Sequence, residues 1–147
     1  GLLKANIFEV KEKELLIFED SNVKIYAFNV PHGPIHGSVG YRIIAGNRSV
    51  IISGDTDVMD NYDFVNGVDV LIHEAYGLKE DADRLKMVKH SSAYDAGFVA
   101  FKADVKQLVI THVSTDYHGK EDLLINEASE IYKGPISVAH DLMDLSI

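Results

Sequence analysis

Apolar and polar residues alternate along the first third of the chain and then give way to unbroken apolar runs. Asn6 to Val10, Glu14 to Phe18 and Val23 to Val30 alternate with a period of two across the polar turns Lys11-Glu12-Lys13 and Glu19-Asp20-Ser21-Asn22, which predicts antiparallel hairpins. Gly40 to Ala45 and Val50 to Ser53 predict another strand pair across Gly46-Asn47-Arg48-Ser49. Later runs, Val68 to Ile72 and Gln107 to Thr111, read as buried strands, and Ile136 to Ala139 as the last one. Between them the period changes. Ser92 with Asp95 resembles a capping box that opens a helix, and Ala93, Ala96, Gly97, Ala100 and Phe101 give that helix a face of small residues for close packing on a sheet. Glu121 to Tyr132 is amphipathic, with Leu124, Ile125, Ala128 and Ile131 on one side, and Gly134-Pro135 stops it. Gly77 to Lys89 is too charged for core and predicts a surface helix or flap, while Asp60 to Asn66 predicts a short helical or looping segment. With no repeat, low-complexity tract or linker, residues 1–147 read as one α/β domain.

Four of the strand-like runs end on residues that carry chemistry. Val50 to Ser53 stops at Gly54, which lets the backbone turn and delivers Asp55 and Thr56 just past the strand. Lys24 to Pro31 closes on His32, Val68 to Ile72 on His73-Glu74, and Gln107 to Thr111 on His112. Open α/β sheets bind their ligands at the carboxyl edge of the strands. If these strands are parallel neighbours, their ends converge on a mixture of histidine and carboxylate suited to zinc or a similar divalent ion.

Composition narrows this further. The absence of cysteine removes disulfides and thiolate ligands, so any metal must be held by His, Asp and Glu. No apolar stretch approaches a membrane span and no basic-then-apolar leader opens the chain, so cytoplasmic residence is the default expectation. A formal net charge of −9 argues against gripping nucleic acid by phosphate neutralisation alone. The chain opens on Gly1 rather than Met and reads as a processed or truncated piece.

The ordered motifs His32, Gly40-Tyr41-Arg42-Ile43, Ser53-Gly54-Asp55-Thr56, His73-Glu74-Ala75, His90-Ser91-Ser92 and Thr111-His112-Val113-Ser114 resemble the second half of the metallo-β-lactamase superfamily, nearest to ribonuclease Z and its phosphodiesterase relatives. The resemblance runs from about Lys24 to Asp141. It implies half of a four-layer αββα sandwich, a mixed sheet with flanking helices, and a pair of zinc ions in the complete site, with manganese or iron as alternatives. It also implies His32 and His112 as terminal ligands, Asp55 as the bridging ligand, and His90 oriented by Glu74 as the proton donor. His32 and His36 compete for the first ligand position. His73 is implied to support the site rather than to bind metal, and Asp141 to support the site or a strand end. His118 and His140 read as incidental, and Glu80-Asp81-Ala82-Asp83 as a solvated face.

The remaining ligands of such a site come from a His-x-His-x-Asp-His motif. No two of the seven histidines here are separated by a single residue, so the motif is absent from this chain. The chain is therefore expected to be the C-terminal part of a larger protein, to bind metal weakly by itself, and to need the missing half or a partner chain; relatives of this kind are often homodimers. Thr111-His112-Val113-Ser114-Thr115-Asp116-Tyr117 carries a carboxylate where ribonuclease Z typically has a guanidinium, and negative charge at Asp116 is expected to repel a polyanion. The expected activity is metal-dependent phosphodiester hydrolysis, with ribonuclease Z-like transfer-RNA processing as its specific form. The alternatives are hydrolysis of a small ester, sulfate or cyclic nucleotide, and a non-catalytic half-domain that lacks a complete site.

Overall fold

The computed structural model describes residues 7–11, 13–34, 37–59 and 65–147. Parts of the sequence reading that fall on Asn6, His36 and Asp60 to Phe64 lie outside the described residues. Seven strands form one sheet in strict chain order: β1 (Leu15–Glu19), β2 (Val23–Asn29), β3 (Val39–Ala45), β4 (Arg48–Ile52), β5 (Val70–Glu74), β6 (Gln107–Thr111) and β7 (Ile136–Val138). The first four pair antiparallel and β4 to β7 pair parallel. Ile7 to Val10 alternates in sequence but joins no strand. The β3–β4 turn is tighter than its composition indicates: Ala45 pairs with Arg48, so the loop is only Gly46-Asn47, the two-residue connection whose twist suits a hairpin.

The parallel strands need crossovers, and helices supply them. Between β5 and β6 the charged stretch forms a turn of 3-10 helix at Lys79–Asp81 and then α1 (Ala82–Val88), followed by α2 (Ala93–Lys102). Between β6 and β7 runs α3 (Glu121–Ala128), which stops short of the predicted Tyr132. The Ser92 capping box is present: Ser92 Oγ accepts from the Asp95 N–H at 3.1 Å, and the Asp95 carboxylate accepts from the Ser92 N–H at 2.9 Å.

Ile51, Leu71 and Leu108 share one face of the sheet by register, and with Ile110 they are fully buried beneath Ala93, Ala96, Val99, Ala100, Leu124 and Ala128. Burying a leucine or isoleucine side chain of this kind is worth about 1.5–3 kcal/mol. Phe101 departs from the expected small-residue face and is 54% exposed. Gly97 does not meet the sheet either. A Cβ there would lie 2.5 Å from the Ala128 carbonyl oxygen, so the glycine lets α2 and α3 touch backbone to backbone. Glu127, which the amphipathic pattern would leave outside, is buried and accepts from the Lys79 N–H (2.9 Å) and the Tyr94 N–H (3.0 Å), tying α3 to the start of α2.

The opposite face of the sheet carries Ile25, Ile43, Val50, Ile52 and Ile72, all half-buried, so the described chain is two layers, helices on sheet. Among the described residues no helix is long and apolar enough to cross a membrane. At the far edge of the parallel strands, Asp69 accepts from the Ser49 N–H (2.8 Å) and from Lys106 Nζ (2.7 Å), clamping the starts of β4, β5 and β6.

Two measurements test this packing. In an open helix, glycine to alanine stabilises by roughly 0.5–1 kcal/mol; Gly97→Ala should instead destabilise by about 1–3 kcal/mol, because the added methyl forces two helix backbones apart, and the urea midpoint would report it. The second concerns acid. The Lys106 ammonium and the Ser49 N–H hold the Asp69 carboxyl down at about 2. A carboxyl depressed in the folded state stabilises above its unfolded pKa of about 4 and loses that contribution as pH falls through the folded value. Stability should therefore decline between about pH 4 and pH 2, and Asp69→Asn should flatten that decline in pH-dependent unfolding curves.

Candidate metal centre

Strand direction places the candidate residues. β2 runs parallel to β4, β5 and β6 in direction, although β3 lies antiparallel between β2 and β4. The four ends are thus not all parallel neighbours, yet they reach the same edge. His32 lies just beyond β2, Asp55 beyond β4, Glu74 ends β5 and His112 follows β6. Two backbone features aim Asp55 and His112. Gly54 has φ +65°, and a Cβ there would lie 2.7 Å from the Val39 carbonyl oxygen, so only glycine turns the chain into Asp55 against β3. His112 itself is left-handed, with φ +54°; such a conformation in a non-glycine residue at a strand tip is strain of the kind that gathers at functional sites.

The structure brings together His32, Asp55 and His90, whose potential ligand atoms all lie within 4.8 Å of one another. His112 adjoins them: its Nδ1 is 3.6 Å from Asp55 Oδ1, and its ring stacks on His90 with centroids 4.9 Å apart. His32 meets His90 edge to face at 5.1 Å. Three imidazoles therefore surround one carboxylate. His32 donates from Nδ1 to the Lys89 carbonyl at 2.9 Å, which fixes its tautomer and leaves Nε2 as a lone-pair donor, the pattern of a metal-ligating histidine. These donors, nitrogen and oxygen with no sulfur, fit a divalent ion of the zinc, manganese or iron type.

Glu74 anchors the centre from beneath. It is fully buried, and its Oε1 lies 2.7 Å from His90 Nδ1. Oε1 also accepts from the Thr56 N–H at 2.6 Å, and Oε2 from the Ser91 N–H at 3.2 Å. Burial pushes the Glu74 carboxyl up to about 8, against the two peptide N–H groups that pull it down. Burial likewise moves His90 below the usual imidazole value. Glu74 thus engages Nδ1 of His90 and leaves Nε2 outside that bond. His73, next along β5, faces the other way: it is buried under the helices, its Nδ1 donates to the Glu74 carbonyl at 2.6 Å, and its Nε2 has no partner. It does not join the cluster.

His118 and His140 are exposed, as is Asp141, whose carbonyl accepts from His140 Nδ1 at 3.0 Å. The acidic run is not wholly a solvated face, since Asp81 accepts from the Leu78 N–H at 3.2 Å and from the Tyr117 hydroxyl. Asp116 also differs from its sequence reading: its negative charge is met by Arg84 NH1 at 2.8 Å.

Sequence reasoning missed several supporting groups. Ser53 Oγ accepts from the Glu74 N–H at 3.1 Å, and Ser91 Oγ donates to the Thr56 carbonyl at 2.9 Å, so the Ser-Gly-Asp-Thr and His-Ser-Ser segments are bonded to each other as well as to Glu74. Tyr76 walls the site, its ring 5.0 Å from His90 and 5.6 Å from His112. Hydroxyls adjacent to Asp55 and His90 were a readable signal for the first two. Tyr76 was marked in the sequence only as a departure from the threonine that usually follows His-Glu-Ala in such relatives, with no role attached.

The fold is that of the metallo-β-lactamase class. It aligns at TM-score 0.75 and 24% identity with the metallo-β-lactamase fold protein YhfI from Bacillus subtilis, covering 90% of this chain and 51% of that one. The chain is, more narrowly, a ribonuclease Z-like member of the metallo-β-lactamase superfamily. It is 31% identical to ribonuclease Z of Bacillus subtilis strain 168 over 160 residues, covering 95% of this chain and 52% of the relative. The short form of human tRNase Z superposes at TM-score 0.74 with 27% identity, covering 95% of this chain and 49% of that one. The chain spans between a third and about half the length of the curated relatives it matches. No family model matches it.

Removing the buried anchor gives a direct test. Glu74→Ala would leave the Thr56 and Ser91 N–H groups buried without an acceptor, at about 1–3 kcal/mol each, so the urea midpoint should fall sharply. Glu74→Gln, which keeps one carbonyl oxygen, should lose less. Equal stability of all three proteins would show that the carboxylate does not hold these loops.

Proposed function

We propose that this chain is part of a metal-dependent hydrolase of phosphodiester bonds, of the ribonuclease Z type, whose substrate is a transfer-RNA precursor. The observation that carries the reading is the meeting of His32, Asp55, His90 and His112 at one sheet edge, with a buried carboxylate behind His90. The names of its relatives supply the substrate class.

In this reading His32, Asp55 and His112 hold the metal, with zinc favoured by the imidazole and carboxylate donors. A divalent ion, when bound, polarises the phosphoryl oxygen and makes water a better nucleophile near neutral pH. The chain's own residues do the rest. Asp55, which lies beside His32, His90 and His112, would be one of the residues that hold the metal. Glu74 holds Nδ1 of His90, which fixes the ring and leaves Nε2 to hand a proton to the leaving oxygen; a positioned general acid of this kind contributes about 100- to 10,000-fold. Tyr76 packs against the His90 and His112 rings and helps hold them in place. The other ligands would come from a His-x-His-x-Asp-His segment outside this chain, supplied by the rest of the protein or by a partner. Three ligands from half a site bind an ion weakly because nothing else preorganises it.

Zinc content and bis-p-nitrophenyl phosphate turnover of the protein with its complete site test the assignment. Asp55→Ala should lose both metal and turnover, whereas His90→Ala should keep its zinc and lose about 100- to 10,000-fold in turnover. Zinc lost from His90→Ala would make His90 a ligand instead, consistent with its place beside His32 and Asp55. Unchanged metal content and turnover in Asp55→Ala would reject the reading.

A further inference from the structure

We propose that Arg84 is a substrate-binding residue that grips an RNA phosphate beside the one being cleaved, with Asp116 as its orienting partner. This inference rests on the phosphodiesterase reading above.

Arg84 comes from α1, in a stretch whose charge marks it only as surface. Its guanidinium lies 5.4 Å over the Tyr76 ring, the same ring that stacks on His90 and His112. The cation is therefore one aromatic ring away from the candidate metal centre, on the wall of the site. It is also held in place: NH1 donates to Asp116 Oδ2 at 2.8 Å and NH2 to Ser114 Oγ at 3.3 Å, both from the loop that follows His112. A guanidinium has five N–H donors in a fixed fork, of which Asp116, Ser114 and the Tyr76 side chain engage only part. About half of the side chain remains exposed, at 48%.

Lys120 Nζ donates to the Asp116 carbonyl at 3.2 Å, so a second cation stands on the loop that holds the guanidinium. An oriented fork with free donors matches the two oxygens of a phosphodiester better than a mobile ammonium does. A surface pair meant only for stability would contribute little when this exposed, whereas a fork fixed against an aromatic wall lowers the entropy cost of gripping a ligand. RNA is the occupant that this chemistry favours, because successive phosphates lie one nucleotide apart and a second one can reach the rim while the first sits at the metal centre.

The test is RNA binding by the chain in EDTA, which separates it from catalysis and from the metal assignment. Binding of a short synthetic RNA is followed by fluorescence anisotropy across a salt series. Each phosphate contact adds about one to the slope of log affinity against log salt, and losing one contact removes about one. Arg84→Ala should lower that slope by about 1. Arg84→Lys should keep the slope while weakening binding, because the charge stays and the fork is lost. Moving the guanidinium across its own ion pair, with Asp116→Arg in the Arg84→Ala background, should restore the slope. An unchanged slope in Arg84→Ala, or RNA binding by the parent chain that does not respond to salt, would overturn the proposal. A normal slope change here, together with unchanged metal content and turnover in Asp55→Ala of the protein with its complete site, would instead count against the phosphodiesterase reading alone.

Discussion

One buried carboxyl group, Glu74 at the tip of β5, holds the loops of the site in register. Its two oxygens take hydrogen bonds from Thr56 beyond β4 and from Ser91 ahead of α2, and it fixes the His90 ring. Burying a carboxylate is costly unless its lone pairs are met, and here each oxygen has a donor. The geometry is mutually enforcing: the loops cover the carboxyl and so desolvate it, and the carboxyl supplies the acceptors that keep the loops closed. Burial pushes Glu74 up to about 8 and His90 below the usual imidazole value, so both groups of the pair are held against their charged forms.

Around this anchor the backbone takes conformations that side chains resist. Gly54 turns against the Val39 carbonyl with a positive φ, and His112 does so without glycine's freedom. Lys89, left-handed at the end of α1, puts its carbonyl where His32 Nδ1 can donate to it. The left-handed region is rarely populated by residues other than glycine, and here two such residues flank a cluster of imidazoles. The sheet beneath supplies the rigidity that this requires, since β4, β5 and β6 are clamped at their other ends by Asp69.

Charge behaves locally rather than globally. A formal charge of −9 weighs against polyanion binding when read from composition, yet several acidic side chains on the helical side are committed to partners. Asp116 is paired with Arg84, Asp81 takes the Tyr117 hydroxyl, and Glu127 caps backbone N–H groups of α2 and the preceding turn. What a phosphate would meet at the rim beyond Tyr76 is a held guanidinium.

Much of the fold was legible because strands and helices announce themselves through period and capping: the alternation from Glu14 to Val30, the apolar runs before His73 and His112, and the Ser92 capping box all became the elements they predict. The candidates His32, Asp55, Glu74 and His112 were singled out for the same reason, as polar groups placed just past strand ends, whereas His90 came only from the resemblance carried by His90-Ser91-Ser92. Tertiary structure alone decided how they meet. It set an antiparallel β3 between β2 and β4 while keeping their directions the same. It turned His73 into the core and its neighbour Glu74 to the site, a difference that alternation implies but whose sense only packing fixes. It also brought Arg84 and Tyr76 to the rim and left Ile7 to Val10 out of the sheet. Such pairings depend on which surfaces bury together across long sequence separations, and neither local propensity nor spacing carries that information.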